Sequence, residues 1–405
     1  MQIEIFPSKA SGTVVAPPSK SMAHRLLICA GLCKGESRIR GIAPSEDVLA
    51  TLDCLSAIGA DCHYENDTVT VRGIDGTSVR IGRELPCREC GSTLRFFIPI
   101  ALLSDETVTL TGSARLLARP QSVFEDVCQK KGLYFENNGE KIHVRGALKS
   151  GVYEIPGNVS SQFISGLLFV LPLLEGDSEI CITGVLESRP YIDLTLSALS
   201  QFGVQAEWKE GNVLSVKGGQ RYEAREAAVE GDYSNAAFFE ALNYVGGSVT
   251  VTGLAKNSLQ GDRVYADYFS ALQKGSPTLS IGACPDLGPI LFSVAAAQNG
   301  AAFTETARLK IKESDRGAAM AAELAKLGAV VTVEENTITV HPTTLHPPTE
   351  ILCGHNDHRI VMALSVLLTK LGGRIEGAEA VAKSLPDFFD RLEQLGVKIQ
   401  QYDIG

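Results

Sequence analysis

The chain has 405 residues, is 44% hydrophobic and 21% charged, and carries a net charge of −10 at pH 7. That length exceeds one ordinary core and points to two domains or three, while the acidic balance argues against a general nucleic-acid binder. No apolar run reaches the roughly 20 residues of a membrane span, and the start, Met1-Gln2-Ile3-Glu4-Ile5, lacks the basic and apolar regions of a secretory signal, so a cytosolic protein is expected.

In chain order, a β-like run at 12–16 leads into Pro17-Pro18-Ser19-Lys20-Ser21-Met22-Ala23-His24-Arg25, then into an apolar run at 26–32. Lys20, Ser21 and Arg25 therefore stand where a strand gives way to a helix. The first N–H groups of a helix have no internal partners and lie at the positive end of its dipole, which suits phosphate or carboxylate. Read alone, the stretch is an ordinary Ser-capped helix with solvated charges.

A second helix is expected over 45–58, stopped by Gly59, followed by a hairpin turning at Glu65-Asn66-Asp67. This first copy, from the N-terminus to about Gly73, then recurs. The second copy opens near Cys87-Arg88-Glu89-Cys90-Gly91-Ser92, with helices over 93–103 and 121–131 and a turn at Asn137-Asn138-Gly139. The third opens at Val159-Ser160-Ser161-Gln162, with a helix over 191–202 and a turn near Glu210-Gly211-Asn212. The fourth opens at Glu230-Gly231-Asp232-Tyr233-Ser234, and its strand and hairpin are compressed at Gly275-Ser276-Pro277. The fifth opens at Pro285-Asp286-Leu287-Gly288, with a helix over 315–327 and a turn at Glu334-Glu335-Asn336. The sixth opens at His355-Asn356-Asp357-His358-Arg359 and ends over 386–395. A period of about 55–70 residues is longer than most solenoid repeats. Each copy is a small α/β sandwich that cannot bury its helices alone, so six should pack into larger domains with helices inside and sheets outside.

The openings differ in their polar residues. Lys20 and Arg25, Ser160-Ser161-Gln162, Asp286, and Asn356-Asp357-His358-Arg359 occupy equivalent places. A structural repeat needs only caps there, so Lys, Gln and Arg point to ligands. Lys312-Glu313-Ser314-Asp315-Arg316 is a second concentrated stretch, read as following a basic strand at 308–311 and opening a helix. A helix start disfavours Lys312 and Arg316 unless an anion is held there. With Arg119, Arg359 and Lys383 at other loop–helix boundaries, and with Lys20 and Arg25, they make seven such cations in an acidic chain. Arg binds carboxylate and phosphate bidentately. Asp286 reads as a plain N-cap or as an acid/base group.

The ten cysteines are scattered, mostly among apolar neighbours as at Cys29, Cys54 and Cys181, which fits reduced core thiols. Cys87 and Cys90 have the spacing of half a zinc site, but no second Cys or His pair accompanies them, and no metal is expected. There is no Gly-x-Ser-x-Gly elbow, Walker loop or dinucleotide fingerprint.

Ten motifs in order carry a resemblance. They are Pro18-Ser19-Lys20-Ser21 through Arg25, Gly91-Ser92-Thr93-Leu94-Arg95, Arg119-Pro120, Ser160-Ser161-Gln162, Ser188-Arg189-Pro190-Tyr191, Glu230-Gly231-Asp232, Asp286, 312–316, 356–359 and Lys383-Ser384-Leu385-Pro386-Asp387. In register over nearly the whole length, the chain resembles the 5-enolpyruvylshikimate-3-phosphate synthase family (3-phosphoshikimate 1-carboxyvinyltransferase). The resemblance implies transfer of the enolpyruvyl group of phosphoenolpyruvate to the 5-hydroxyl of shikimate 3-phosphate, with release of phosphate, in the shikimate pathway of aromatic amino-acid biosynthesis. It implies no metal or organic cofactor, a monomer, and no nucleic-acid or membrane partner. The implied fold is α/β, two similar domains each of three βαβαββ units, with residues 1–17 plus 229–405 in one, 18–228 in the other, and the active site in the cleft between them.

By the same resemblance, Lys20, Ser21, Arg25, Ser160, Ser161, Gln162, Ser188, Tyr191, Asp286 and Lys312 bind shikimate 3-phosphate. Lys20, Gly91, Arg119, Gln162, Arg316, Arg359 and Lys383 bind phosphoenolpyruvate. Asp286 takes the 5-hydroxyl proton, and Glu313 serves proton transfer at the methylene with Lys20 assisting. Glu89-Cys90 stands where many relatives have Asn-Ala, Arg189 replaces a frequent Lys, and Arg308 replaces an Asn whose role is not carried over. The rival UDP-N-acetylglucosamine enolpyruvyl transferase family uses a Cys before an equivalent Arg-Pro, and 112–118 contains none. A catalytically inactive relative is the other alternative, against which stand the intact Lys20, Asp286, Glu313 and Arg316.

Overall fold

The computed structural model describes residues 1–76, 79 and 84–402; residues 77, 78, 80–83 and 403–405, which fall within the two expected domain spans, lie outside the described residues. The chain divides into two compact units, residues 20–230 and residues 1–19 with 231–405.

Unit 20–230 holds three copies of one motif. The first comprises helix Lys20–Leu32, strand Lys34–Arg40, helix Glu46–Ala57 and the hairpin Asp61–Glu65 with Thr68–Ile74. Ser45 caps the second helix, its hydroxyl accepting from the Val48 N–H at 3.4 Å, and Asn66 turns the hairpin at φ 58°. The second copy runs Leu85–Pro86, Gly91–Ala101, Val108–Thr111, Ser122–Lys131 and the hairpin Tyr134–Asn137 with Lys141–Arg145. The third runs Val152–Pro156, Ser161–Val170, Ser178–Thr183, Arg189–Gln201 and the hairpin Ala206–Lys209 with Val213–Val216.

Strand order is the same in each sheet: the leading strand lies parallel to the second, which pairs antiparallel with the returning hairpin strand. In the first copy the leading strand is Glu226–Ala228, parallel to Lys34–Arg40. The β-like run before Pro17 does not fill that place, a correction to the first copy as read from sequence. It forms Ser11–Val15 in the other unit.

The leading helices Lys20–Leu32, Gly91–Ala101 and Ser161–Val170 are buried almost all round, as helices without a polar face must be. The strands alternate instead: Val69 and Val71 of Thr68–Ile74 are buried between more exposed threonines. Pro99 lies inside Gly91–Ala101 and has no N–H to give the Arg95 carbonyl. Gly166 packs against that carbonyl so closely that a Cβ would lie 2.5 Å from its oxygen.

The other unit repeats the plan with chain borrowed from the N-terminus. Its buried leading helices are Tyr233–Ala241, Gly288–Ala297 and His358–Leu371. The middle sheet is complete, ordered Thr278–Ser280, Ala301–Thr304, Thr337–His341, Val330–Val333. In the last sheet, Gln2–Phe6 lies antiparallel between Gly373–Glu376 and Lys398–Tyr402, in the position of a hairpin strand. Among the described residues the fourth copy has no hairpin: Ser248–Thr252 pairs only with Ser11–Val15, and helix Tyr265–Lys274 leads through 275–277 directly into Thr278–Ser280. The run at 308–311, read as a strand, lies in the 3-10 helix Ala307–Ile311. Ala301–Thr304 already has a partner on each side, and the Leu309 N–H bonds locally to the Thr306 carbonyl at 2.9 Å. Among the described residues no helix is long and apolar enough to cross a membrane.

Candidate active site

The residues singled out in the sequence fall into two groups, one in each unit. In the unit ending at Gly405, the group is built on three helix starts. Asp357 caps His358–Leu371, accepting from the Arg359 N–H at 3.0 Å. Fully buried, it also accepts from Arg316 Nε at 2.8 Å and from the Ser314 hydroxyl at 3.0 Å. Arg316 opens its own helix, Arg316–Ala325, behind the Asp315 cap. Its remaining nitrogens reach Glu313 Oε2 at 2.7 Å and Asp286 Oδ1 at 2.8 Å. Asp286 sits in the turn Pro285–Leu287 that leads into Gly288–Ala297. Its carboxylate also receives Lys312 Nζ at 3.2 Å and Arg359 Nη2 at 3.2 Å, so three cations converge on one carboxylate. Arg359 Nη1 donates to the Ser234 hydroxyl at 2.6 Å, and Lys383 Nζ donates to the Asn356 carbonyl at 2.7 Å.

These placements perturb proton affinities. Burial pulls Lys312 down to about 8, against the pull of Asp286, with Arg308 and Arg316 adding to the fall. Burial alone would lower Arg316, but Asp357, Glu313 and Asp286 raise it above the ordinary arginine range. Asp262, buried nearby, is pushed up to about 7 by burial and by Asp286, with Arg359 opposing.

In unit 20–230, Lys20 opens its helix and its Nζ holds Asp47 Oδ2 at 2.6 Å. Arg25, one turn on, is buried: Nη1 donates to the Ser21 carbonyl at 2.6 Å, Nε to Thr195 Oγ1 at 2.8 Å and Nη2 to the Tyr191 carbonyl at 2.9 Å. Burial lowers its pKa to about 10. Ser160 caps Ser161–Val170, accepting from the Gln162 N–H at 3.3 Å. The Gln162 amide bridges Arg95 Nη1 and the Ser92 hydroxyl, each at 2.8 Å. Gly91 begins Gly91–Ala101, and a Cβ there would lie 2.6 Å from Arg119 Nη1. Ser161 and Ser188 are buried, and Tyr191 is half-buried on Arg189–Gln201.

Backbone strain gathers at these openings. Arg88, Ser188, His355 and Asn356 have φ of 50°, 55°, 50° and 51°, the left-handed region that non-glycine residues avoid. Such residues cost about 1–3 kcal/mol each and persist at sites that need a fixed backbone.

Asp47 does not stand out in the sequence, and nothing there assigns a role to Asp357, Arg95 or Ser234. Asp47 looks like any acid in a first turn, and its partnership with Lys20 spans two helices. Asp357 and Arg95 belong to the motifs 356–359 and 91–95, and that membership is their only signal in the sequence. Sequence spacing also hid a side-chain cluster. One ligand atom each from His24, Asp47 and Cys90, all buried, lie within 4.8 Å of one another.

Each group is a set of cations held rigid at helix N-termini by buried acids and carbonyls. That arrangement suits anionic oxygens, and Asp286 with Glu313 adds carboxylates of the kind that move protons.

A family model described as EPSP synthase (3-phosphoshikimate 1-carboxyvinyltransferase) matches residues 6–392. The 3-phosphoshikimate 1-carboxyvinyltransferase of Clostridium kluyveri is 37% identical, over 100% of this chain and 99% of that protein. The same-named protein of Clostridioides difficile is also 37% identical, with the same coverage. Among solved structures, an EPSP synthase from Acinetobacter baumannii matches with a TM-score of 0.80 at 24% identity, over 99% of this chain and 100% of that one. The enolpyruvyl transferase NikO from Streptomyces tendae matches with a TM-score of 0.78 at 14% identity, over 98% of each chain. The last two likenesses establish the fold, that of the enolpyruvyl transferases, whereas the family match and the full-length identities place the chain itself: it belongs to the EPSP synthase family.

Proposed function

We propose that this protein transfers the enolpyruvyl group of phosphoenolpyruvate to the 5-hydroxyl of shikimate 3-phosphate and releases phosphate. The observation that carries the reading is the Asp286 carboxylate met by Lys312, Arg316 and Arg359 beside Glu313. Two phosphates and two carboxylates enter with the substrates, and cations at helix starts are the groups that receive them.

Ser21, Arg25, Ser160, Ser161, Ser188, Tyr191 and Lys312 hold shikimate 3-phosphate in this reading. Gly91, Arg119, Arg316, Arg359 and Lys383 hold phosphoenolpyruvate. Lys20 and Gln162 serve both substrates. On binding, Arg316 and Arg359 turn part of their hydrogen bonding to phosphoenolpyruvate, which frees Asp286 oxygens for the 5-hydroxyl. Asp286 takes the hydroxyl proton as that oxygen attacks C2 of phosphoenolpyruvate. Glu313, assisted by Lys20, delivers a proton to the methylene carbon. The tetrahedral intermediate carries phosphate, carboxylate and alkoxy groups on one carbon. Its collapse expels phosphate and returns a methyl proton to the enzyme. Preorganised cations stabilise each anionic stage without reorganising at the moment of reaction. The chain is proposed to work as a monomer without a metal or organic cofactor.

Phosphate release is the test. Both substrates together should give phosphate, and neither alone should. Asp286→Ala should retain shikimate 3-phosphate binding while turnover falls about 10²–10⁴-fold, the range for a lost general base. Near-normal turnover would remove the role given to Asp286, and no phosphate from the unmodified protein would remove the function.

A further inference from the structure

The paired cysteines at 87 and 90 were the one metal-like motif in the sequence, and they lacked partners there. The fold supplies Cys90 with different ones. His24 comes from the second turn of Lys20–Leu32, Asp47 from the first turn of Glu46–Ala57, and Cys90 caps Gly91–Ala101. His24 Nε2 lies 3.9 Å from Cys90 Sγ. Ligands of a tetrahedral zinc, at about 2.0–2.3 Å from the ion, stand roughly 3.5 Å apart, so little movement brings this pair to ligand spacing.

The histidine is already oriented. Its Nδ1 is 2.7 Å from Thr51 Oγ1, which in turn is 2.8 Å from Thr93 Oγ1. A ring nitrogen held in this way leaves the opposite nitrogen for an ion. One Asp47 oxygen is held by Lys20 at 2.6 Å, and a carboxylate oxygen of Asp47 lies within 4.8 Å of the other two ligand atoms. The three residues are at most 7% exposed, and the nitrogen, oxygen and sulfur set suits a borderline or soft cation.

We propose that His24 Nε2, an Asp47 oxygen and Cys90 Sγ form a binding site for a thiophilic divalent cation of the zinc type, with water completing the coordination. Cys90 binds as the thiolate and its proton leaves to solvent. The two ligand charges then balance the ion, and Lys20 is left sharing its carboxylate partner with a cation. Occupancy should therefore lower turnover; that consequence alone rests on the role proposed for Lys20.

Cobalt(II) is the probe. Titrated into the metal-free full chain, it should give one thiolate-to-cobalt charge-transfer band in the near ultraviolet, saturating at one ion per chain. Cys90→Ala should abolish the band. Cys54→Ala should keep it, because Cys54 contacts Cys87, at 4.0 Å between sulfurs, and lies outside the triad. No band, or a band that survives Cys90→Ala, overturns the site. X-ray absorption of the zinc-loaded unmodified chain decides the matter without a variant: one sulfur with nitrogen and oxygen ligands supports the site, and none or several sulfurs overturns it. A cobalt band with unchanged turnover supports the site and counts against the role of Lys20.

Discussion

Gly91 shows how closely a single position is set against its neighbour. A methyl group there would meet Arg119 Nη1 at 2.6 Å and Cζ at 3.0 Å, so the guanidinium has to move. Gly91→Ala should raise KM for phosphoenolpyruvate about tenfold, equivalent to about 1.4 kcal/mol, with a smaller change in kcat. Steady-state kinetics against phosphoenolpyruvate check this, and an unchanged KM would free Arg119 from the site. Lys312 makes a prediction in pH. Its value falls from 10.5 to about 8 on burial, so between those values the unfolded chain holds a proton that the folded chain has lost. Stability from this group therefore rises with pH across that window, and the penalty for the buried charge is felt below about pH 8. Phosphate binding runs the other way. Affinity for shikimate 3-phosphate should fall above pH 8, approaching tenfold per pH unit, and Lys312→Arg should flatten the profile in a binding titration. At this scale the sequence announced its cations better than its acids. Lys20 and Arg316 stand out because a helix start disfavours them, whereas Asp47 and Asp357 are where any helix would place an acid.

At the scale of the element, the helix starts were legible because caps are local. Ser45, Asp232, Asp315 and Asp357 all accept from an N–H two or three residues on. The turn at 307–311 was not, since alternating apolar residues read alike in a strand and in a tight turn until the sheet's neighbours are known. The short helix Ala114–Leu117 escaped for the opposite reason, one turn being too brief to show a period. Close packing of the leading helices was also hidden. Pro99 opens the Arg95 carbonyl and Gly166 occupies the space beside it. Gly166→Ala should cost about 1–3 kcal/mol, the usual range for overpacking, despite alanine's better helix propensity. Urea denaturation measures it, and a variant as stable as the parent would show that the two helices can separate without loss.

For the whole molecule, the repeat was legible as six openings, but which strand completes which sheet was not. The period says how many sheets there are, and pairing across hundreds of residues leaves no local trace. Each unit has its own apolar core. Residues 20–230 include every strand of their sheets, while residues 231–405 lack Gln2–Phe6 and Ser11–Val15. Expressed alone, 20–230 should melt cooperatively. Residues 231–405 should not, until a peptide of residues 1–19 is added. Circular dichroism melts check both, and a cooperative melt of 231–405 without the peptide would show the borrowed strands to be dispensable.

The placement of Gln2–Phe6 between Gly373–Glu376 and Lys398–Tyr402 has a consequence in time. On the ribosome Gln2–Phe6 is made hundreds of residues before its neighbours in the sheet. It emerges with its hydrogen-bonding edges bare and waits while an entire unit is synthesised and folds beside it. Only when residues 373–402 clear the exit tunnel can that sheet close. Such distant pairing is slow and exposes strand edges to wrong partners. Residues 2–6 thus wait longer for their partners than the strands of residues 20–230, whose sheets close within that unit.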